Sequence, residues 1–285
     1  DIGVMVVAYA RAGVWDEVMF TKLDHISRGL VQRSLECLRT TSSSSSSSSS
    51  EPNPGHAKCC RQGEIDLLGD VASLCMAFSY AESKGRSMIR AGSIFPFLSG
   101  VLLSSPISSS SPSSLSGGTS ATRHIANILN SFARTRIWDE ALFRRLSTIV
   151  RMMQPVHTPA QDIAKIVNAY SQATTRVGSG LRDTSLFLHM AHLSLMKRDS
   201  ELTPRTVASI VNAFARAGVW DERIFKQMSA AVRRMPPKSI ALRDIARIVY
   251  AFSLAQTRAG STIRDGSLFR HMSARVITHT LTKAD

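Results

Sequence analysis

Three places recur along the chain with side chains able to hold a polyanion. Asn127, Asn130 and Arg134 come back as Lys165, Asn168 and Gln172, then as Ser209, Asn212 and Arg216, then as Arg247, Tyr250 and Leu254. Amides can read base edges, and cations can contact phosphate and stack on bases. Asn is a poor mid-helix residue, so its recurrence asks for a reason. A binding face is one. A solvated polar face with Asn inherited by duplication is the other.

Other chemistry is weaker. His56 with Cys59 and Cys60 resembles half a zinc site, but no second half with ligand spacing follows. His189 and His192 make a poor metal pair, because the second has no counterpart beside His271, so both read as surface histidines. Gly178-Ser179-Gly180 is not preceded by a strand and reads as a flexible turn rather than a phosphate loop. No Ser/His/Asp set, carboxylate pair or P-loop stands out, so the expectation is no catalytic residue, no metal and no cofactor.

Charge narrows the partner. The 285 residues carry 35 Lys+Arg against 21 Asp+Glu, a formal +14. Residues 1–122 are neutral, with ten of each, while residues 123–285 hold 25 Lys+Arg and 11 Asp+Glu and so carry the whole excess. Such asymmetry points to a polyanion, nucleic acid before an anionic membrane surface. No apolar run approaches the roughly 18 residues of a membrane-spanning helix, and no membrane partner is expected. The cysteines Cys37, Cys59, Cys60 and Cys75 all lie in the neutral part without a CxxC, which fits a reducing compartment.

The elements that must position the polar ladder are helices. Segments beginning at Asp1, Asp70, His124, Asp162, Thr206 and Asp244 share one pattern, as in Asp162-Ile-Ala-Lys-Ile-Val-Asn-Ala-Tyr170. Counting the first residue as zero, apolar side chains fall at offsets 1, 4, 5 and 8, one helical face. Offsets 3, 6 and 10 project within about 60° of one another on the opposite side. Ala at offsets 2 and 7 lets neighbouring helices approach. Thr158-Pro159 and Thr203-Pro204 read as an N-cap followed by proline at the first helical position.

A second helix follows each first one. Asp16, Asp139, Asp183, Asp221 and Asp265 each precede a Phe by four residues and fit the N-cap of that helix. Trp15, Trp138 and Trp220 stand just before the Asp, where they can staple the turn. Odd copies have this short Trp-Asp-Glu turn. Even copies have a longer one ending Ile89-Arg90-Ala91, Leu181-Arg182-Asp183 and Ile263-Arg264-Asp265. An 82-residue shift lays copies three and four on five and six, so the repeating unit is a pair of hairpins.

The expected architecture is all-α, an α-solenoid of about six stacked hairpins. Repeat 1 spans 1–38, a Ser-rich linker 39–65, repeat 2 66–103, a Ser/Pro/Gly-rich linker 104–122, and the basic repeats 3–6 123–285. The tracts Thr41 to Ser50 and Ser104 to Ser120 cannot bury enough apolar surface to offset their ordering entropy and read as flexible spacers. Asp1 lies in mid-pattern, so an incomplete or processed chain is expected, without a visible import signal.

The segments DIAKIVNAYSQA, TVASIVNAFARAGVWDE and HIANILNSFARTRIWDE resemble the helical-hairpin repeats of organellar RNA-binding proteins, above all octotricopeptide and heptatricopeptide repeats. Such repeats are often followed by a RAP domain, as in FAST-kinase-like mitochondrial proteins, and none is visible after Lys283. The serine runs resemble those of apicomplexan proteins. The resemblance implies a mitochondrial location and binding of organellar RNA, including ribosomal RNA within the mitochondrial ribosome, beside other proteins of a ribonucleoprotein assembly. The RNA-binding positions are then Asn127, Asn130, Arg134, Lys165, Asn168, Gln172, Asn212, Arg216, Arg247 and Tyr250. The alternative is a protein-binding scaffold using the same face or copies one and two.

Overall fold

A computed structural model describes residues 2–14, 16–43, 54–85, 94–105, 119–177, 183–236, 239–259, 263 and 265–281. Trp15, Arg90, Ala91, Arg182, Arg264, the Gly178–Gly180 turn and most of both serine tracts lie outside them, as do the side chains of His56, Cys59 and Cys60. Every extended element among the described residues is a helix, and the fold is all-α. In chain order these are α1 (Ile2–Ala12), α2 (Glu17–Ser43), α3 (Pro54–Gly85), α4 (Ile94–Ser104), α5 (Thr119–Thr135) and α6 (Glu140–Val150). Then follow α7 (Ala160–Val177), α8 (Thr184–Leu195), α9 (Pro204–Ala217), α10 (Glu222–Arg234), α11 (Leu242–Ala259) and α12 (Gly266–Leu281).

The chain forms two compact units, Asp1–Met153 and Gln154–Asp285. In the first, α1, α3 and α5 pack side by side, and α2, α4 and α6 form a second layer. In the second, α7, α9 and α11 make one layer and α8, α10 and α12 the other. Each unit is thus a stack of three hairpins. The third hairpin belongs to the first unit, and hairpins four to six make up the second. Charge composition marks a surface property, whereas unit boundaries follow which apolar faces are packed together. Helix α2 runs to Ser43, α3 begins at Pro54 and α5 begins at Thr119.

The repeat pattern is the core pattern. Ile163, Ile166, Val167 and Tyr170 on α7 are fully buried, as are Ala169, Ala213 and Ala251 at offset 7. Small side chains there let first helices approach, and phenylalanines lock successive hairpins together. Phe187 on α8 meets Phe214 on α9, and Phe225 on α10 meets Phe252 on α11, both edge-to-face at 5.2 Å. Phe95 and Phe132 do the same in the first unit at 4.8 Å. Each such pair contributes about 0.5–1.5 kcal/mol beyond the area it buries. Trp138 and Trp220 lie against Phe143 and Phe225 of their own hairpins, so they do staple the turns.

Every expected aspartate cap is present. Asp16, Asp139, Asp183, Asp221 and Asp265 accept the backbone N–H groups of Met19, Leu142, Leu186, Ile224 and Leu268. Thr203 caps α9 with Pro204 behind it. Thr158 departs from expectation: its hydroxyl donates to the Gln154 carbonyl, because the 3-10 turn Pro155–His157 immediately precedes it, and α7 starts from the Pro159 carbonyl instead.

Candidate nucleic-acid interface

The offset 3, 6 and 10 side chains do leave the apolar stripe and sit half-buried or exposed on the first-helix layers. They form two sets, one in each unit. The first unit holds Asn127, Asn130 and Arg134. Arg134 Nη2 reaches from α5 to α3 and donates to Ser83 Oγ at 3.1 Å. Elsewhere in this unit the same places are mixed: Arg11 and Ser73 are polar, while Val4 and Met76 are apolar and 63% and 40% exposed.

The second unit assembles the denser set. Lys165 Nζ lies 2.9 Å from the buried Asp162 carboxylate on α7, so its charge is partly compensated. Arg216, near the end of α9, reaches back to α7 and donates through Nη2 to Asn168 Oδ1 at 2.6 Å and Ser171 Oγ at 3.0 Å. On the other flank stands α11 with Arg247 and Tyr250. Burial first, and then the Arg247 charge, push the Arg216 pKa below the ordinary arginine value, while Tyr250 acts the other way. Gln172 and Asn212 are half-buried nearby in register, and Tyr250 is 53% exposed.

Two features escape a reading confined to offsets 3, 6 and 10. One is Ser171, at offset 9. Odd copies carry Ala-Arg at offsets 9 and 10 (Ala10-Arg11, Ala133-Arg134, Ala215-Arg216), whereas even copies carry Ser at offset 9 (Ser79, Ser171, Ser253). In the second unit this alternation sets Arg216 against Ser171 of the first helix before it, whereas in the first unit Arg134 reaches Ser83, four residues past Ser79. The other is a capping register six residues after each aspartate. Arg145 on α6 donates to the Leu103 and Ser105 carbonyls at the end of α4, and Gln227 on α10 donates to the Leu195 carbonyl of α8. His189 and His271 occupy the same register and are half-buried, not surface residues. His192, by contrast, is exposed.

Most second-helix cations are likewise engaged within the fold. Arg144 pairs with Glu140, Lys226 with Glu222, and Arg234 with Asp199. Of the ladder cations, Arg134, Arg216 and Arg247 form no ion pair with a described carboxylate. Among the described residues, no group of three or more His, Cys, Asp or Glu is placed to hold a metal ion. No described helix is long and apolar enough to cross a membrane.

A family model described as RNA-editing substrate-binding complex 6 protein matches residues 120–283. The chain belongs to this family. The match to the RNA-editing substrate-binding complex 6 family begins at the N-terminal end of α5 and ends past α12. It therefore takes in hairpins three to six and all ten ladder residues. A comparison with curated proteins finds no match.

Proposed function

We propose that this chain is a non-catalytic RNA-binding repeat protein of a ribonucleoprotein assembly, gripping RNA through the first-helix face of its basic hairpins. The observation that carries this reading is the second unit's polar layer, where Asn168, Arg216, Arg247 and Tyr250 converge with no carboxylate among them. Residues 154–285 hold 19 Lys+Arg against 9 Asp+Glu, so a +10 field surrounds that face. Amides and arginines beside an exposed aromatic match the needs of single-stranded RNA: phosphate neutralisation, base-edge contacts and stacking. The family's name supports an RNA-editing substrate as the bound RNA. The octotricopeptide-like character of the hairpins supports an organellar, mitochondrial setting, in which ribosomal RNA would offer the same chemistry.

The first unit carries a second reading. Val4 and Met76 expose apolar surface at the positions where the second unit is polar. Apolar surface suits a protein neighbour within the assembly, so scaffolding through α1 and α3 accompanies RNA binding through α7, α9 and α11.

The test is affinity for single-stranded RNA as a function of salt. A log–log slope steeper than that of one phosphate is expected, at about −0.7 per phosphate neutralised. A flat salt response, or no binding at low salt, overturns the RNA reading.

A further inference from the structure

We propose that Arg216, Arg247 and Tyr250 build a single-nucleotide subsite, the two guanidinium groups holding one phosphate and the Tyr250 ring stacking on the attached base. This rests on the reading of the first-helix face as an RNA surface and assigns it an anchor. Three observations converge.

The first is a departure between equivalent hairpins. The 82-residue shift lays Asp162, Lys165 and Asn168 on Asp244, Arg247 and Tyr250. On α7 the cation is bound to its acid at 2.9 Å. On α11 Asp244 and Arg247 form no ion pair, and Asp244 Oδ1 is buried without a hydrogen bond. The Arg247 charge is instead left for its neighbour across the helix layer.

That neighbour is Arg216, the second observation. Its Nη2 is held by Asn168 and Ser171, and its Nε is buried without an acceptor. The two α7 acceptors are neutral, so they fix the guanidinium in place and leave its charge intact. Arg216 and Arg247 stand on helices packed against each other, form no ion pair with a described carboxylate, and repel, and a bound anion removes that repulsion. Planar guanidinium forks match the tetrahedral oxygens of phosphate.

The third is Tyr250. The other described first helices of the basic hairpins carry Asn at offset 6, and here the residue is an aromatic with 53% of its surface exposed, one turn beyond Arg247. An exposed ring beside a phosphate-binding pair is the arrangement that stacks a base. The ring also decides the class of partner. An acidic peptide would use the arginines and leave the tyrosine idle.

The experiment compares the full chain with Arg247→Gln, Tyr250→Leu and Tyr250→Phe by fluorescence anisotropy with a labelled oligouridylate across a salt series. Arg216 itself is left alone, because its substitution would also release Asn168 and Ser171. Arg247→Gln is expected to weaken binding and flatten the salt slope by about 0.7, the share of one phosphate on a single strand. Tyr250→Leu is expected to weaken binding about tenfold with the slope unchanged, and Tyr250→Phe to retain affinity, because stacking needs the ring and not the hydroxyl. If the unsubstituted chain binds RNA steeply with salt while Arg247→Gln and Tyr250→Leu match it, the subsite is wrong and the broader reading stands. Equal loss from Tyr250→Phe and Tyr250→Leu overturns stacking. If the unsubstituted chain binds no RNA, both fall. Competition by polyglutamate as effective as by unlabelled RNA of equal charge overturns the nucleotide in favour of an acidic protein.

Discussion

Asn168 and Asn212 stand at the same offset on neighbouring helices yet do different work. Asn168 Oδ1 accepts from Arg216 at 2.6 Å, so it both presents its amide and holds a half-buried cation in place. Asn212 forms no side-chain hydrogen bond with another described residue and is only half-buried. Asn168→Ala leaves the arginine short of an acceptor and is expected to cost about 1–2 kcal/mol of stability. Asn212→Ala is expected to be neutral or stabilising by a few tenths of a kcal/mol, since Ala is the better helix former. Urea unfolding of the two variants checks this, and a larger loss in Asn212→Ala than in Asn168→Ala would refute it. The repeat pattern made both asparagines candidates. It carried no sign that one is a brace, because the partner is brought from 48 residues away by packing α9 on α7.

At the scale of the element, helix starts are the most sequence-determined feature of this fold, and α12 shows the physics. Burial of Asp265 would raise its pKa. Hydrogen bonds from Ser229, Ser267 and the Leu268 N–H, with the Arg233 charge, outweigh that and hold the carboxyl down to about 2. A folded pKa below the ordinary 3.8 means the ionised cap stabilises the fold at neutral pH. That contribution is complete above the unfolded value and disappears as pH falls from about 4 towards 2. The stability difference between the native chain and Asp265→Asn should therefore shrink through that window, which urea midpoints measured against pH will show. A difference that stays constant through it would mean the carboxylate charge is not what Ser229 and Arg233 hold. The cap itself was legible from Asp265 standing four residues before Phe269. The Ser229 contact was not, because it joins α10 to α12 and depends on how second helices pack.

Over the whole molecule, charge and function divide along the chain. The second unit carries most of the positive excess and the Arg216 cluster, while the first helices of the first unit expose Val4 and Met76. Ultraviolet crosslinking of bound RNA, read out by peptide, is expected to mark α7, α9 and α11. Crosslinks concentrated on α1 and α3 would eliminate the first-helix ladder as the RNA face.

Residue spacing alone specifies the helical class, the hairpin unit, the aspartate caps, the aromatic staples and the helix face on which polar residues gather. Each follows from interactions within about a dozen residues, where helical geometry ties spacing to direction. Packing between helices specifies that the third hairpin joins the first two, that Arg145 and Gln227 cap helices of the preceding hairpin, and that Arg216 is braced by Asn168 on a helix layer flanked by α11. Those contacts join residues tens of positions apart. Which cation is spent on structure and which is left for a ligand depends on where neighbouring helices place their acceptors, and a one-dimensional repeat does not encode that distance.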